Sequence, residues 1–409
     1  MERVLNVFLK DQLAGHLEQD RSGALRFRYD ESWLGSESAV PLSASLPLRS
    51  EYFGRNACRP FFAGLLPEEG NREIIAKSFG ISDRNDFALL EKIGAECAGA
   101  VSLLPPAEPM EVRQFHYREI ASEELALKFG ALPAHPLLTG TDGVRLSLAG
   151  AQSKMMIAIR DGALCLPLDG APSSHILKPK SLHFDGLVEN EFFCMSLAAR
   201  VGLPVAKVEL GKAGSETFLQ IERFDRKLLA DGSWERIHQE DFCQALGIPP
   251  ELKYQQEGGP NLKKCFALVR AVSSVPGPDV LRLFDAVVFN FLIGNNDAHG
   301  KNFSLLYDGR KARFAPLYDL ICTQAYPALS NEMAMKIGNE RTPARVNRRD
   351  WQKFFESAGL GQAAAERRLL DLIKRVQTET KAMASDSRAP EVVPAAILAN
   401  CERLLALAW

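Results

Sequence analysis

The sequence lacks paired cysteines, an excess of charge of either sign and a long hydrophobic run, and each absence excludes a class of protein. None of its eight cysteines is in a Cys-x-x-Cys pair, so we predict reduced, packed thiols and neither a zinc site nor a redox pair. The 49 basic and 51 acidic residues give a net charge of −2, which excludes an overall basic field that would attract nucleic acid or an anionic membrane.

The sequence also has no apolar segment typical of a membrane span or an export signal. The N-terminus has no apolar stretch of the signal-peptide kind. The most apolar segment, 280–293, is too short to span a bilayer and is interrupted by Arg282, Asp285 and Asn290, so it predicts a buried core helix. We therefore expect a cytoplasmic protein without a membrane partner.

The composition is that of a globular protein, and its 409 residues allow two or three packed units. Strand-like alternation at 4–9 and 24–29 predicts a β-hairpin at the start. A proline-rich segment at 105–109 ends this first part. Helical patterns lie between them, around residues 61–66, 71–79 and 87–93.

The rest of the chain changes from short strands to helices. Residues 110–225 alternate strands with one amphipathic helix at 188–201, and the pattern after 226 is helical except for a hairpin around Asp308-Gly309. This order predicts an α+β protein with a bilobal, protein-kinase-like fold. The predicted domains are an N-terminal β-rich domain, a small β-rich lobe and a large helical lobe, at residues 1–105, 106–225 and 226–409.

The strongest chemical pattern is an aspartate followed five positions later by an asparagine, Asp297 and Asn302, directly after the apolar segment. This is the spacing of a protein-kinase catalytic loop, in which the aspartate accepts the proton of the substrate hydroxyl and the asparagine supplies an oxygen to Mg²⁺. The hairpin that follows would return the chain to Asp319, a second carboxylate. The alternative is that the two aspartates are a turn residue and a helix cap.

A second pattern places small residues before a strand. Backbone N–H groups of Ala149, Gly150, Ala151, Gln152 and Ser153 could approach phosphate oxygens, with the charge of Lys154 at the end. Taken alone, this segment is better explained as an ordinary turn.

Two further segments fit the same chemistry. Lys178, at the end of a predicted strand, would neutralise the α- and β-phosphates of a nucleotide, held by Glu191 or, as second choice, Glu189. A surface lysine is the alternative.

Glu222, Arg223 and Phe224 follow in a segment that could contact an adenine edge, with Phe224 as an apolar wall. A salt-bridged strand end is the alternative for this segment.

Taken in order, these segments resemble the HipA family of toxin–antitoxin kinases, and the resemblance covers nearly the whole chain. The matching motifs are Phe-Phe-Ala-Gly-Leu-Leu-Pro at 61–67, Ser-Leu-Ala-Gly-Ala-Gln at 147–152, His-Ile-Leu-Lys-Pro at 175–179, Glu-Asn-Glu-Phe-Phe at 189–193, Glu-Arg-Phe-Asp-Arg at 222–226, Gln-Glu-Asp-Phe-Cys at 239–243, Gly-Gly-Pro at 258–260, Asp-Ala-His-Gly-Lys-Asn at 297–302 and Tyr-Asp at 318–319. Ser153 departs from the pattern, because some members have an acidic residue there.

The resemblance implies a serine/threonine-protein kinase toxin that uses ATP and Mg²⁺, with Asp297 as catalytic base and Asn302 and Asp319 on the metal. It implies that Ser147 is autophosphorylated, and that the modified loop then leaves the ATP site. The residues that it places at the nucleotide are 149–154, Lys178, 222–224, His299, Gly300, Lys301, Asn302, Tyr318 and Asp319.

Partners follow from the same resemblance. A small helix-turn-helix antitoxin of the HipB type is implied, with DNA reached only through it, and a host translation protein, such as an aminoacyl-tRNA synthetase, as substrate. Two alternatives remain open, a small-molecule kinase on the same fold and a non-catalytic corepressor of a DNA-binding antitoxin.

Overall fold

A computed structural model describes residues 3–108, 110, 115–139, 144–150, 152–385, 388–407 and 409. The chain divides into two compact units. The first contains residues 1–179, 211–251 and 306–311, and the second contains residues 180–210, 252–305 and 312–409.

The first unit begins with an antiparallel sheet in the order β3-β2-β1-β4. Its strands are Arg3–Leu9 (β1), Gln12–Gln19 (β2), Leu25–Tyr29 (β3) and Val101–Leu104 (β4). The predicted hairpin between the segments at 4–9 and 24–29 is wrong, because β2 lies between them and pairs with both. The sequence pattern missed β2 because the strand contains several polar residues. One of them, His16, is in hydrogen-bond contact with Asn6 at 3.1 Å and with Asp30 at 3.0 Å.

The helices of the first unit include the three that the sequence predicts around residues 61–66, 71–79 and 87–93. They are Glu31–Leu34 (α1), Arg55–Gly64 (α2), Glu69–Ser78 (α3), Asp86–Ile93 (α4) and Ser122–Ala131 (α5). Buried aromatic side chains of α2, Phe61 and Phe62, join Phe27 of β3 in one core. Apolar burial of this kind is the main force that holds a sheet and its helices together.

A second antiparallel sheet has the order β5-β7-β6-β8-β10-β9. Its strands are His116–Glu119 (β5), Met155–Arg160 (β6), Ala163–Leu168 (β7), His175–Pro179 (β8), Val208–Ala213 (β9) and Glu216–Glu222 (β10). Met155 is paired with Leu177, and Lys178 with Leu219. The residues 154 and 178, which flank the first pair, therefore share one face of the sheet.

The remaining elements of the first unit are short. They are Arg226–Leu228 (β11), Trp234–Arg236 (β12), His238–Asp241 (β13) and Phe242–Ala245 (α7). The tip of a later hairpin, residues 306–311, also belongs to this unit.

Helices dominate the second unit. They are Leu187–Arg200 (α6), Leu262–Val272 (α8), Pro276–Leu292 (α9), Arg348–Ala358 (α10), Gln362–Ala384 (α11) and Val392–Leu405 (α12). The strands Ser304–Asp308 (β14) and Lys311–Phe314 (β15) form the hairpin that the sequence predicts around Asp308-Gly309. The apolar segment at 280–293 is in α9, and its side chains Phe284 and Phe289 are fully buried.

Two other expectations concern the whole chain. All eight cysteines are free and buried, which confirms packed thiols. Within the described residues, no helix is both long and apolar enough to cross a membrane.

A fully buried ion network lies in the first unit. Glu96 Oε1 accepts from Arg223 at 3.1 Å and from Arg226 at 2.5 Å, and Asp225 accepts from Arg223 at 2.7 Å. Burial raises the pKa of Asp225, but the charges of Arg223 and Arg226 outweigh it and hold that pKa at about 2. Because this pKa is below the ordinary value, the network's contribution to stability is present above about pH 4 and is lost as the pH falls through 2.

The pKa of a second buried carboxyl group, that of Glu240, is raised and not lowered. Burial raises its pKa to about 7, although Ser43, Ala44 and Tyr307 all donate hydrogen bonds to it. The folded state therefore favours the protonated form. This contribution to stability is complete below the ordinary value of 4.5 and is lost as the pH rises through 7.

Replacing Glu240 by glutamine is expected to flatten this pH dependence. The wild-type free energy of unfolding should fall by roughly 3 kcal/mol between pH 4.5 and 8 from this group, and Glu240→Gln should not show that fall, because an amide does not titrate. Urea unfolding at several pH values measures both. Glu37→Gln, at an exposed position of the same unit, is the control. An unchanged slope in Glu240→Gln would contradict the assignment.

Candidate active site

The loop that carries Asp297 begins where α9 ends, and buried amides hold it. Gly294 follows α9 with a φ of 69°, a left-handed backbone that glycine adopts without strain. The side-chain amide of Asn295 donates to Asn290 Oδ1 at 2.8 Å, and its Oδ1 accepts from the backbone N–H of Asp297 at 3.1 Å. The last turn of α9 thus fixes the position of the Asp297 backbone.

The other end of this loop contacts Asp319. A 3₁₀ turn covers Gly300–Asn302, and the Asn302 side-chain amide donates to Asp319 Oδ2 at 3.0 Å. Asp319 has a φ of 57°, in the left-handed region that aspartate enters more readily than most residues. The structure therefore brings together the asparagine and the second carboxylate that the sequence predicts as one site.

Tyr318, the residue before Asp319, ties the hairpin to its origin. Its hydroxyl donates to the backbone oxygen of Lys301 at 2.7 Å and lies 2.6 Å from Ser304 Oγ. The chain leaves the loop at Ser304 and returns at Tyr318, so the hairpin closes as predicted from the sequence.

The side chain of Asp297 is half exposed and is contacted by a tyrosine from another segment. Tyr254 donates its hydroxyl to Asp297 Oδ1 at 2.7 Å. Asp297 Oδ2 lies 4.0 Å from His299 Nε2, and the rings of His299 and Tyr254 meet edge to face at 5.2 Å. Tyr254 is not among the residues that we predicted, and the motif at 258–260 was the one sequence feature near it.

The predicted phosphate loop is in the first unit and ends at a buried lysine. Lys154 Nζ donates to the backbone oxygen of Ala149 at 2.6 Å, which closes the segment into a loop. Gly150 has a φ of 111°, and a Cβ there would lie 2.5 Å from Lys154 Nζ. Gln152 and Ser153 are partly buried within the loop. Ala151, also predicted at the nucleotide, lies outside the described residues.

Ser147 is fully buried at the start of this loop. Its hydroxyl donates to the backbone oxygen of Leu65 at 2.7 Å, and its N–H donates to the backbone oxygen of Glu96 at 2.8 Å. A phosphate group on this hydroxyl would have no room beside Leu65. Phosphorylation of Ser147 therefore requires the segment to move away from Leu65 first.

Lys178 is buried on β8, one of the inner strands of the second sheet. It lies on the same sheet face as Lys154, so the two cations that we predicted at the phosphates are close in register. Its predicted partner Glu191 is fully buried on α6 of the second unit, whereas Glu189 is partly exposed. The pairing of Lys178 with either carboxylate stays a prediction.

The segment predicted at the adenine begins at the end of β10. Glu222 is opposite His175 in the sheet, and the backbone N–H of Arg223 donates to the backbone oxygen of Ser174 at 2.9 Å. The Arg223 side chain is part of the buried ion network, so only its backbone could face a nucleotide. Phe224 is partly exposed, as a wall residue would be.

Comparisons with known proteins identify the family of the chain. Residues 5–104 match the family described as "HipA N-terminal domain", and residues 146–382 match "HipA-like C-terminal domain". The protein Y4mE of Sinorhizobium fredii, which its name describes as a candidate kinase, is 51% identical over 91% of this chain and 89% of its own length.

A protein and a solved structure from Shewanella oneidensis extend the comparison. The serine/threonine-protein kinase toxin HipA is 29% identical over 91% of this chain and 87% of its own. A solved structure of a HipA, HipB and operator DNA complex superposes with a TM-score of 0.85 and 28% identity, covering 98% of both chains. This match confirms the predicted α+β fold. Because the match over residues 146–382 alone covers more than half of its length, the chain belongs to the HipA family of kinase-related proteins.

Proposed function

We propose that the chain is an ATP- and Mg²⁺-dependent serine/threonine-protein kinase and the toxin of a two-gene system, phosphorylating a host translation protein and its own Ser147. The observation that carries the proposal is the contact between Asn302 and Asp319, at the end of the loop that also carries Asp297. A catalytic carboxylate beside a paired amide and carboxylate is the donor set that phosphoryl transfer requires.

The donor set fits Mg²⁺. Asn302 Oδ1 is buried and has no hydrogen-bond partner among the described residues, and the Asp319 carboxylate lies beside it. In the part of the chain that the structure describes, no cluster of three His, Cys, Asp or Glu side chains is placed to hold a metal. Proteins usually bind Mg²⁺ through one or two oxygen ligands of their own, and phosphate and water oxygens complete the coordination shell. A bound magnesium ion would neutralise part of the negative charge on the nucleotide phosphates.

The chain's own residues account for the rest of the reaction. Asp297 accepts the proton of the acceptor serine or threonine hydroxyl, whose oxygen forms the new bond to the γ-phosphorus while the bond to the β-phosphate oxygen breaks and ADP leaves. Residues 149–154 and Lys178 bind the phosphates. The backbone of Glu222, Arg223 and Phe224 contacts adenine, and His299, Gly300, Lys301 and Tyr318 lie at the nucleotide.

The partner that we propose is a small helix-turn-helix antitoxin of the HipB type, through which the chain reaches DNA. The support is the 98% coverage of a chain solved in complex with HipB and operator DNA. The net charge of −2 agrees with contact to DNA through a partner, because the chain has no overall basic field of its own.

Transfer from labelled ATP tests the proposal. The purified chain, incubated with γ-labelled ATP and Mg²⁺ in the presence of a cell extract, should label a protein of the extract, and it should gain one phosphoryl group by intact mass. Peptide mapping should place this group on Ser147, and Ser147→Ala should lose it. Excess EDTA should stop all transfer.

Other outcomes support the alternatives. Label found only in a small molecule of the extract would favour a small-molecule kinase. ATP binding without turnover, in the wild type as well as in Asp297→Ala, would favour a non-catalytic corepressor.

A further inference from the structure

We infer that Tyr254 positions the carboxylate of Asp297, and that the turn at Gly258-Gly259-Pro260 holds Tyr254 in place. The inference rests on the proposed role of Asp297 as base. The hydroxyl of Tyr254 donates to Asp297 Oδ1 at 2.7 Å. Asp297 has 51% of its side chain exposed, so burial alone does not hold its carboxylate in one orientation.

The turn that presents Tyr254 needs glycine at a defined position. The backbone oxygen of Tyr254 accepts from the N–H groups of Glu257 at 3.0 Å and Gly259 at 2.9 Å. A Cβ on Gly259 would lie 2.4 Å from the backbone oxygen of Leu252 and 2.7 Å from that of Tyr254. Since backbone atoms cannot move aside as a flexible side chain can, any other residue at 259 would displace the tyrosine.

The same turn is tied to the catalytic loop by a second route. The backbone N–H of Gln255 donates to the oxygen of Ala334 at 3.1 Å, and the N–H of Ala334 donates to the oxygen of Asn296 at 2.7 Å. Tyr254 and Asp297 are the neighbours of Gln255 and Asn296 in sequence. The tyrosine–aspartate bond therefore closes a ring of hydrogen bonds, and the backbone side of that ring sets the distance between the two side chains.

The position of the hydroxyl has a chemical consequence. Each carboxylate oxygen can accept about two hydrogen bonds, so a donor on Oδ1 restrains the orientation of the group without using all of its acceptor capacity. The tyrosine ring is itself fixed by the ring of His299 at 5.2 Å and by the ammonium group of Lys253 at 5.3 Å. Tyr254 is thus a positioning residue that acts through Asp297.

Removing the hydroxyl alone tests the inference. Tyr254→Phe keeps the ring contacts with His299 and Lys253, and it is expected to lower kcat about ten-fold because the base loses its orientation. KM for ATP and the thermal midpoint should stay at wild-type values. The assay is phosphate incorporation from γ-labelled ATP into the chain and a cell extract, measured over a range of ATP concentrations.

Two further variants make the result specific. Gly259→Ala should reproduce the loss of kcat at unchanged KM, whereas Gly277→Ala, where a Cβ would meet nothing within 4 Å, should not. Tyr52→Phe is the matched tyrosine control, because its hydroxyl also donates to a carboxylate, Glu18 Oε1, at 3.1 Å.

The outcomes separate the inference from the proposed function. An active wild type with wild-type kcat in Tyr254→Phe overturns the inference and leaves the kinase proposal standing. A rise in KM that accounts for the whole loss also overturns it. A wild type that transfers no phosphate to any protein overturns the proposed function and the inference with it.

Discussion

Asp297→Asn is expected to abolish phosphate transfer and growth inhibition while leaving the fold unchanged. An amide of the same shape cannot accept the proton of the substrate hydroxyl, and a positioned general base contributes about 10² to 10⁴ in rate. The half-exposed side chain is not part of a core, so its loss should not unfold the chain. Labelled ATP measures transfer, and induced expression without an antitoxin measures growth inhibition.

Asp308→Asn is the matched control for this prediction. It makes the same chemical change at an exposed turn, at the end of β14. The control should keep full activity and toxicity. Wild-type toxicity in Asp297→Asn, with thermal unfolding unchanged in both variants, would show that Asp297 is not the base.

Glu96→Gln is expected to give the largest loss of stability. The change leaves two buried guanidinium groups, Arg223 and Arg226, with Asp225 as the carboxylate that remains in the network. Removing one member of a buried ion pair typically costs about 3–5 kcal/mol, because the remaining charge stays buried without compensation. Urea unfolding, followed by hydrogen exchange of peptides from the first unit, measures the loss.

An exposed pair in the same unit provides the comparison. Glu235 binds Lys10 at 2.9 Å, with 34% and 51% of their side chains exposed. Glu235→Gln should therefore cost less than about 1 kcal/mol. Equal effects of the two substitutions would mean that the buried network adds no more to stability than a surface pair does.

The sequence predicted best where a local pattern decides the structure. The helix predicted at 188–201 is Leu187–Arg200, with Gly202 just beyond its end. The hairpin after Asn302 closes as its turn residues indicate, and this closure brings Asp319 to Asn302. A local pattern was sufficient for these parts of the site because Asn302 and Asp319 are joined by one short hairpin.

The sequence pattern could not predict contacts between segments that are distant in the chain. Tyr254 is 43 residues from Asp297, and neither residue's neighbours reveal the bond between their side chains. Arg223 was predicted at the adenine, yet its side chain binds Glu96, 127 positions away. Ser147 was predicted as a phosphorylated residue, and nothing in its neighbouring sequence indicates that its hydroxyl bonds to Leu65, 82 positions away.

The buried network also decides whether the protein can be divided. Glu96 lies just before β4, inside the stretch that the sequence marks off as a first domain, while the arginines that satisfy its charge lie past residue 220. A shortened gene that begins after that stretch would leave two cations in an apolar interior with half of their counter-charge. Expression of either piece alone is therefore expected to yield aggregated protein, and co-expression of both pieces is the way to recover a folded one.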